Sequence, residues 1–244
     1  MTQAFDIYAI THTGLVRPNN EDRIVVNDWA SSGNDEQFSA YNIPAAEPLF
    51  CLVADGMGGH TAGEIASRIA ADELSRKLLH VADPDAFPEI IEEVNQEIFS
   101  AMEDQTYGMG TTIAGIRAER NSAIVFNVGD SRVYVLNHAS IHQVSVDDTL
   151  NSGSNGKRKL SNAVTQSLGG GTRRRRVVPH VLTTAIEPGQ KFLICSDGLS
   201  DFVKDHEIAE LLRSNKADAA ENLRELALTR GGEDNISIVL ILVR

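Results

Sequence analysis

The stretch LFCLVADGMGGH (residues 49–60) joins an apolar run to an aspartate, three glycines and a histidine. The run from Leu49 to Ala54 predicts a buried β-strand, because it is short and continuously apolar. Asp55 follows directly, so we expect its carboxylate where this strand meets a loop at the rim of the core. The glycines predict a sharp turn of the backbone. A phosphate-binding P-loop is not expected, since the pattern GxxxxGK[ST] is absent from the sequence.

Three more apolar stretches adjoin an aspartate in the same way. They are AIVFNVG (123–129) before Asp130, KFLICS (191–196) before Asp197, and ISIVLILV (236–243) shortly after Asp234. Asp-Gly and Gly-Asp pairs are common in turns, so each acid alone is weak evidence for a site. Four carboxylates brought together, however, would repel one another unless a cation lay between them. Because carboxylate oxygens favour hard cations, the pattern predicts a Mg²⁺ or Mn²⁺ site.

The remaining patterns predict an α+β fold. Further strand patterns cover 5–11, 23–29, 110–118, 132–137, 140–145 and 177–186, and helical patterns cover 61–80, 84–102, 205–213 and 217–229. Runs of strands followed by pairs of helices, twice over, favour two packed sheets with helices outside over alternating βαβ units. We expect one domain over residues 1–244, with a short polar flap at about residues 145–170.

Composition and charge exclude several classes of protein. The formal charge of -12 argues against a general nucleic-acid binder. No apolar run approaches the roughly 20 residues that cross a bilayer. The first residues lack a basic segment followed by an apolar one, so we expect no secretory signal and a cytoplasmic location. Cys51 and Cys195 lie in apolar strand patterns, which predicts two buried thiols rather than a disulfide.

The stretch GLVRPNNEDR (14–23) adds an arginine and two acids to the candidate site. One interpretation is an ordinary turn followed by a solvated charge cluster. The other is functional, because the planar guanidinium of Arg17 can bind a phosphate in a bidentate way. Together with cation-binding carboxylates, such an arginine is typical of metal-assisted phosphoester hydrolysis.

Seven motifs occur in one order along nearly the whole chain. They are RPNNEDR, VADGMGGHTAGEIAS, GTTIAGI, NVGDSRVYVL, VTQSLGG, CSDGLSD and EDNISIVL. In this order they resemble the metal-dependent protein serine/threonine phosphatases of the PPM, or type 2C, family, and above all its compact bacterial members. The resemblance implies a four-layer αββα sandwich, with two central antiparallel sheets flanked by helix pairs.

The resemblance also implies a role for each acid. Asp55 would bridge two Mn²⁺ or Mg²⁺ ions, with the Gly56 carbonyl on one of them. Asp197 and Asp234 would hold the second ion, and Asp130 together with Asp197 would hold a weaker third ion.

Three residues of the N-terminal motif complete the implied site. Glu21 and Asp22 would act as metal ligands, directly or through water, and Arg17 would bind the phosphate. In the implied mechanism, a water bridging two cations about 3.5–4 Å apart attacks phosphorus in line. The cations and the arginine then stabilise the charge on the transferring phosphoryl group. No covalent phosphoenzyme is needed, so the cysteines have no chemical role.

The chain departs from the family pattern beside the first aspartate. Some eukaryotic members have a histidine, their proposed general acid, two residues after that aspartate, where this chain has Met57. A methionine cannot donate a proton. His60 is the candidate substitute, and the alternative is that it only shapes the turn.

The flap departs as well. It contains Asp147-Asp148-Thr149 where the family pattern is Asp-His-Ser, and Gln166 where an arginine is common. Because the flap borders the active site in this family, we expect these changes to affect substrate choice and the affinity for a third ion.

A run of four arginines, Arg173 to Arg176, follows three glycines. The simpler interpretation is a solvated basic turn before a strand. The alternative hypothesis is a basic rim, formed with Lys157, Arg158 and Lys159, that attracts acidic phosphopeptides.

Taken together, the sequence predicts metal-dependent hydrolysis of phosphoserine and phosphothreonine in proteins, opposing a Hanks-type serine/threonine kinase. We expect a monomer that binds neither nucleic acid nor membrane. Two other functions stay open: a pseudophosphatase that binds phosphoproteins without hydrolysis, and a small-molecule phosphoesterase.

Overall fold

The computed structural model describes residues 3–58, 61–102, 108–137, 140–150, 163–171, 173–213 and 218–244. The strands in these ranges are β1 (Ala4–His12), β2 (Arg23–Val26), β3 (Trp29–Ala30), β4 (Glu36–Pro44), β5 (Leu49–Met57), β6 (Gly110–Glu119), β7 (Ser122–Val128), β8 (Arg132–Asn137), β9 (Ser140–Gln143), β10 (Leu168–Gly169), β11 (His180–Ala185), β12 (Lys191–Cys195) and β13 (Ile236–Val243). The helices are α1 (Thr61–Leu78), α2 (Phe87–Ser100), α3 (Asp197–Ser200), α4 (Asp205–Arg213) and α5 (Ala219–Thr229), and a 3₁₀ turn, Pro84–Ala86, precedes α2.

These strands form two antiparallel sheets. The first sheet has six strands in the order β4-β1-β13-β12-β8-β9. The second has seven, in the order β11-β7-β6-β5-β2-β3, with β10 paired to the beginning of β6. Strands such as β6 and β13 are buried along nearly their whole length, as expected where both faces of a sheet are covered.

An apolar core lies between each pair of adjacent layers. The central core lies between the two sheets and contains Phe5 from one and Val53 from the other. A second core joins the second sheet to α1 and α2, with Leu74 fully buried in it. A third joins the first sheet to α4 and α5, with Leu223 fully buried. The predicted four-layer αββα sandwich is thereby confirmed.

Several local boundaries differ from the prediction. The strand predicted over 23–29 is divided by a turn at Asn27, whose φ of 50° interrupts the extended backbone. Strand β4 was not expected, because only alternate residues of this edge strand are covered and its sequence is polar. Strand β11 begins at His180, directly after a proline, which cannot donate a ladder hydrogen bond.

The helices agree with the predicted ranges to within a few residues, and the short α3 was not expected. None of the helices in the described ranges combines the length and apolar composition needed to cross a membrane. Cys51 and Cys195 are both buried and free, which confirms the prediction of two buried thiols. Burial raises the pKa of both thiols, that of Cys195 to about 12.

Candidate active site

A cavity of about 450 Å³ is lined by residues from both sheets and from the loop between β1 and β2. Seven of the nine predicted site residues line it: Arg17, Glu21, Asp55, Gly56, Asp130, Asp197 and Asp234. Asp22 is fully buried and does not line the cavity. His60 lies outside the described residues.

Strand register explains why residues far apart in sequence meet at this cavity. The end of β12 pairs with the beginnings of β8 and β13, through Cys195 with Arg132 and Ile238. The turn before β8, the loop after β12 and the loop before β13 therefore share one end of the first sheet. They carry Asp130, Asp197 and Asp234, respectively.

Asp55 is part of strand β5, rather than lying in a loop after it. It pairs with Thr112, and the next two residues of β5 continue the ladder along β6. The backbone carbonyl of Asp55 also accepts a hydrogen bond from Thr111 Oγ1 at 2.9 Å. Burial raises the pKa of this carboxyl well above its usual range, and the charges of the neighbouring aspartates raise it further. The predicted boundary at Ala54 was therefore wrong, because pairing with β6 keeps the strand extended to Met57.

Gly56 is required for close packing and not for a turn. It lies in the extended strand, and a Cβ there would be 2.3 Å from the Gly63 carbonyl oxygen and 2.6 Å from that of Glu21. The expected turn is instead made by Gly58, which has a φ of +127°. Gly63 is equally tight, since its Cβ would be 2.4 Å from Glu21 Oε2. The beginning of α1 therefore packs directly on the cavity wall.

Asp22 lies beneath the cavity, and its two carboxylate oxygens differ in their contacts. Its Oδ2 accepts a hydrogen bond from Ser196 Oγ at 2.9 Å. Its Oδ1 is buried and has no hydrogen-bond partner among the described residues. Burial raises the pKa of Asp22 to about 7, against the lowering effect of hydrogen bonds from Ser237 and Ser196.

Asp197 and Asp130 both line the part of the cavity formed by the first sheet. Asp197 is the first residue of α3, and burial, followed by the charge of Asp130, raises its pKa to about 7. Asp130 follows Gly129, whose φ is +101°. Burial likewise raises the pKa of Asp130 to about 6, with a smaller contribution from Asp147.

Arg17 reaches the same cavity through an ion pair. Its Nη2 donates to Asp234 Oδ2 at 2.6 Å, while Asp234 Oδ1 accepts from the Asn235 amide at 2.9 Å. The Arg17 side chain is half exposed, so other guanidinium nitrogens can still reach an incoming anion.

Asn235, which was not among the predicted site residues, joins the loop that carries Arg17 to the beginning of β13. Its Oδ1 accepts from the Glu21 amide at 2.9 Å, and its Nδ2 donates to the carbonyls of Thr13 and Asn19 at 2.8 and 2.9 Å. The available signal was a polar amide next to Asp234, directly before a fully apolar strand. Such a residue is buried only if its amide is satisfied by other segments.

The family model described as "Protein phosphatase 2C" matches residues 32–231 of this chain. The chain belongs to the protein phosphatase 2C family. Curated relatives extend the match beyond that range at both ends. The serine/threonine protein phosphatase PstP of Mycobacterium tuberculosis is 31% identical over 93% of this chain, and protein phosphatase PhpP of Streptococcus pneumoniae is 30% identical over 97%. This phosphatase 2C chain covers 96% of PhpP but only 43% of PstP, so it spans less than half the length of that relative.

Solved structures of the family show the same fold. The S. agalactiae serine/threonine phosphatase superposes with a TM-score of 0.82 at 28% identity, covering 98% of this chain and 100% of that one. The catalytic domain of PstP, solved in complex with two manganese ions, gives a TM-score of 0.78 at 31% identity and covers 99% of each chain. The predicted family and activity are thereby confirmed: this is a bacterial-type serine/threonine protein phosphatase domain of a metal-dependent family.

The residues around the cavity fit a hard divalent cation. The predicted ligands among them are carboxylate and carbonyl oxygens, which Mg²⁺ and Mn²⁺ prefer. The unpaired, buried Oδ1 of Asp22 and the raised pKa values of neighbouring acids are what a site built for a positive charge would show. Within the described ranges, no three acidic, histidine or cysteine side chains are close enough to hold an ion as they are placed. Asp234 and Asp22 also have protein partners, since they accept hydrogen bonds from Arg17 and Ser196, respectively.

The departures noted in the sequence have different outcomes. Met57 lines the cavity, and Val164 forms part of its wall on the flap side. Residues 151–162 of the flap, which include Lys157, Arg158 and Lys159, lie outside the described residues. Asp148 and Gln166 are described and are bonded to each other, with Gln166 Nε2 donating to Asp148 Oδ1 at 2.9 Å.

Proposed function

We propose that this phosphatase domain hydrolyses phosphoserine and phosphothreonine in proteins at the acidic cavity, with two Mn²⁺ or Mg²⁺ ions and a weaker third. The observation that supports this most strongly is the convergence of Asp55, Asp130, Asp197 and Asp234 on one cavity that also holds Arg17. When bound, the cations would supply Lewis acidity, activating water for in-line attack on phosphorus. A relative, PstP, carries two manganese ions in its crystal structure.

The chain's own residues divide the work of binding and orientation. Asp55, at the centre of the acidic group, would bridge two ions, with the Gly56 carbonyl on one of them. Asp197 and Asp234 would hold the second ion, and Asp130 with Asp197 the weaker third. Strands β5 and β13 and their neighbours fix these positions, because the acids adjoin hydrogen-bonded ladders.

The N-terminal loop would supply the remaining contacts. Glu21 lines the cavity and Asp22 lies beneath it, and both would act as metal ligands, directly or through water. Arg17 would donate to the phosphate, with Asp234 setting the orientation of its guanidinium. His60 stays a prediction as proton donor, tested by comparing the pH–rate profile of His60→Ala with that of the parent.

The partners follow from the reaction. The substrates would be phosphoproteins, and the enzyme would oppose a serine/threonine kinase. A single domain over residues 1–244, a monomeric state and a cytoplasmic location stay predictions.

One assay separates this proposal from its rivals. Phosphate release from phosphopeptides and from p-nitrophenyl phosphate is measured with Mn²⁺ and with EDTA. We expect metal-dependent release from phosphopeptides. No release from either compound in Mn²⁺ would indicate a phosphoprotein-binding pseudophosphatase, and release from the small ester alone would indicate a small-molecule phosphoesterase. Metal-independent release would contradict the mechanism.

Substitution of Asp55 tests the proposed bridge. Asp55→Asn should abolish turnover and weaken Mn²⁺ binding, measured by phosphate release and titration calorimetry, because it removes a charge shared by two ions. Asp6→Asn is the matched control. Asp6 is also buried, lies on strand β1 outside the cavity lining, and accepts hydrogen bonds from the Asn42 amide and the Arg244 side chain. A fully active Asp55→Asn variant would show that the bridge is wrongly assigned.

A further inference from the structure

The Asp148 side chain contacts three separate segments of the chain around the active site. It lies at the base of the flap and is 9% exposed. Its Oδ2 accepts from the Gly129 amide at 2.9 Å, and its Oδ1 accepts from Gln166 Nε2 at 2.9 Å and contacts His180 Nε2 at 3.0 Å. One carboxylate therefore joins the turn before β8, the segment before β10 and the beginning of β11.

The backbone of Asp148 strengthens its hold on the turn. Its amide donates to the Gly129 carbonyl at 2.9 Å, so Asp148 binds both polar groups of Gly129. Gly129 has a φ of +101°, and a Cβ there would be 2.6 Å from the Thr112 side chain. This glycine is the residue directly before Asp130. Asp148 therefore holds the backbone directly before Asp130, which lines the cavity.

The same residue joins the two ends of the flap. The Asp148 carbonyl accepts from the Thr165 amide at 2.7 Å, and the next residue, Thr149, bridges to Val164. Val164 lines the cavity. Asp148 thus connects the cavity wall on the flap side with the turn that carries Asp130.

Both unusual residues of the flap take part in this network. Asp148 stands where the family pattern has histidine, and Gln166 where an arginine is common. In this chain a histidine comes from another place, since His180 lies on β11 and meets Asp148 across 32 positions. Gln166 is itself fixed, because its Oε1 accepts from the Val178 amide at 2.9 Å. Asp148, Gln166 and His180 therefore form one connected network of polar contacts.

We propose that Asp148 is a positioning residue, held by Gln166 and His180, which fixes the Gly129–Asp130 turn against the base of the flap so that Asp130 can bind the weaker third ion. This inference rests on the proposed function, since it presupposes an Asp130-dependent ion. Residues that orient metal ligands typically change metal affinity 10–100-fold when they are replaced.

Titration calorimetry with Mn²⁺ tests the proposal on the complete chain. The parent isotherm should contain a weaker binding event that Asp130→Asn removes. Asp148→Ala should weaken the same event about 10- to 100-fold and leave the tighter events unchanged. Asp148→Asn keeps one oxygen for the Gly129 amide, so it should weaken that event less. Asp6→Ala, which removes a buried aspartate of β1 with two hydrogen-bonded partners, should leave every event unchanged.

A second pair of variants covers the case in which Asp148→Ala does not fold. Gln166→Ala and His180→Ala remove partners of Oδ1 that are more exposed than Asp148 itself. Each should weaken the third event while the Gly129 contact remains, and the effect of each should vanish in an Asp130→Asn background.

The outcomes distinguish this inference from the function on which it rests. A parent that binds no Mn²⁺ would overturn the proposed function. A parent with two tight events and no Asp130-dependent event would overturn this inference and leave two-ion hydrolysis standing. Equal losses in Asp148→Ala and Asp6→Ala would also overturn the inference, because they would indicate general destabilisation.

Discussion

At the scale of single residues, the chemistry of the cavity comes from carboxylates that are buried and close to one another. Burial is the larger cause of their raised pKa values, and mutual repulsion adds to it. Among the described residues of the cavity lining, Arg17 is the cationic one. Its pairing with Asp234 holds the guanidinium beside the predicted metal ligands, so one residue links the anion-binding and cation-binding halves of the site.

Replacing Arg17 tests whether its planar geometry matters. Arg17→Lys keeps the positive charge and loses bidentate donation, so kcat/KM for phosphopeptides should fall about 10- to 100-fold, the equivalent of one hydrogen bond to a charged group. Steady-state kinetics at saturating Mn²⁺ provide the measurement. Arg76→Lys, on the last turn of α1, is the control, since Arg76 pairs only with Glu73 in the described structure. Unchanged kcat/KM in Arg17→Lys would exclude a bidentate contact with phosphate.

At the scale of elements, the packing of α1 on β5 fixes the cavity wall. The two elements meet at glycines, because backbone lies against backbone where Gly56 faces Gly63. Ala54, two residues before Gly56, is still buried in the apolar core. Asp55 is therefore held on a hydrogen-bonded strand and not on a loop.

A methyl group at this contact should separate the two elements. Gly56→Ala places its Cβ 2.3 Å from the Gly63 carbonyl oxygen, so backbone must move, at a cost of about 1–3 kcal/mol in the free energy of unfolding. Urea unfolding measures this directly. Gly171→Ala is the control: its φ is +71°, but an added Cβ meets nothing within 4 Å, so the strain is confined to its own backbone. A cost well below about 1 kcal/mol in Gly56→Ala would show that the close contact is unimportant.

The basic run from Arg173 to Arg176 is partly neutralised by α2. Arg174 and Arg176 pair with Glu92 and Glu89 at 3.5 and 3.2 Å. The backbone of the run is anchored as well, since Asn95 Nδ2 donates to the Arg175 carbonyl at 2.9 Å. Within the described part of the chain, Arg173 and Arg175 have no carboxylate partner. The hypothesis that the run attracts acidic phosphopeptides therefore depends on these two arginines.

Charge removal at alternate positions tests that hypothesis. Replacing Arg173 and Arg175 by Gln should lower kcat/KM for acidic phosphopeptides several-fold and flatten its dependence on salt, because electrostatic attraction is screened by ions. The double variant of Arg174 and Arg176 to Gln has the same net charge and should have a smaller effect. If both variants keep the parent's rate and salt dependence, the run is a solvated turn.

At the scale of the whole molecule, folding brings acids from separate elements into one cavity, and this determines how stability depends on pH. The pKa values of Asp22 and Asp197 rise to about 7, and that of Asp130 to about 6, from an ordinary value of 3.8. Without metal, the folded state therefore binds protons more tightly than the unfolded chain. The contribution of these groups to stability is present at low pH and is lost as the pH rises towards 7.

Divalent cations should reverse that loss. In EDTA, the Tm should fall between pH 5.5 and 7.5, because these acids ionise in the folded state without a counter-charge. In Mn²⁺ at 100 times its Kd, the Tm should rise by about 5–10 °C at pH 7.5, and the gain should shrink towards pH 5.5 as protons compete for the carboxylates. Calorimetric scans at constant ionic strength measure both series. A gain that does not vary with pH would indicate that cations bind elsewhere.

The sequence alone determined which residues could form the site and in what kind of fold. Apolar runs, turn residues and acidic side chains are local features, and their order along the chain identified the layers of the sandwich and seven of the residues that line the cavity. Local signals were insufficient where an edge strand such as β4 is polar on its exposed positions.

Only the tertiary structure decided how those residues contact one another. Pairing of β5 with β6 extended the strand through Asp55, and the contact of Arg17 with Asp234 spans 217 positions. The side-chain contacts of Asp148 likewise involve partners 18 to 32 positions away in the sequence. Such contacts depend on strand register and on which groups remain unsatisfied after the sheets have packed, and neither property can be read from neighbouring residues in the sequence.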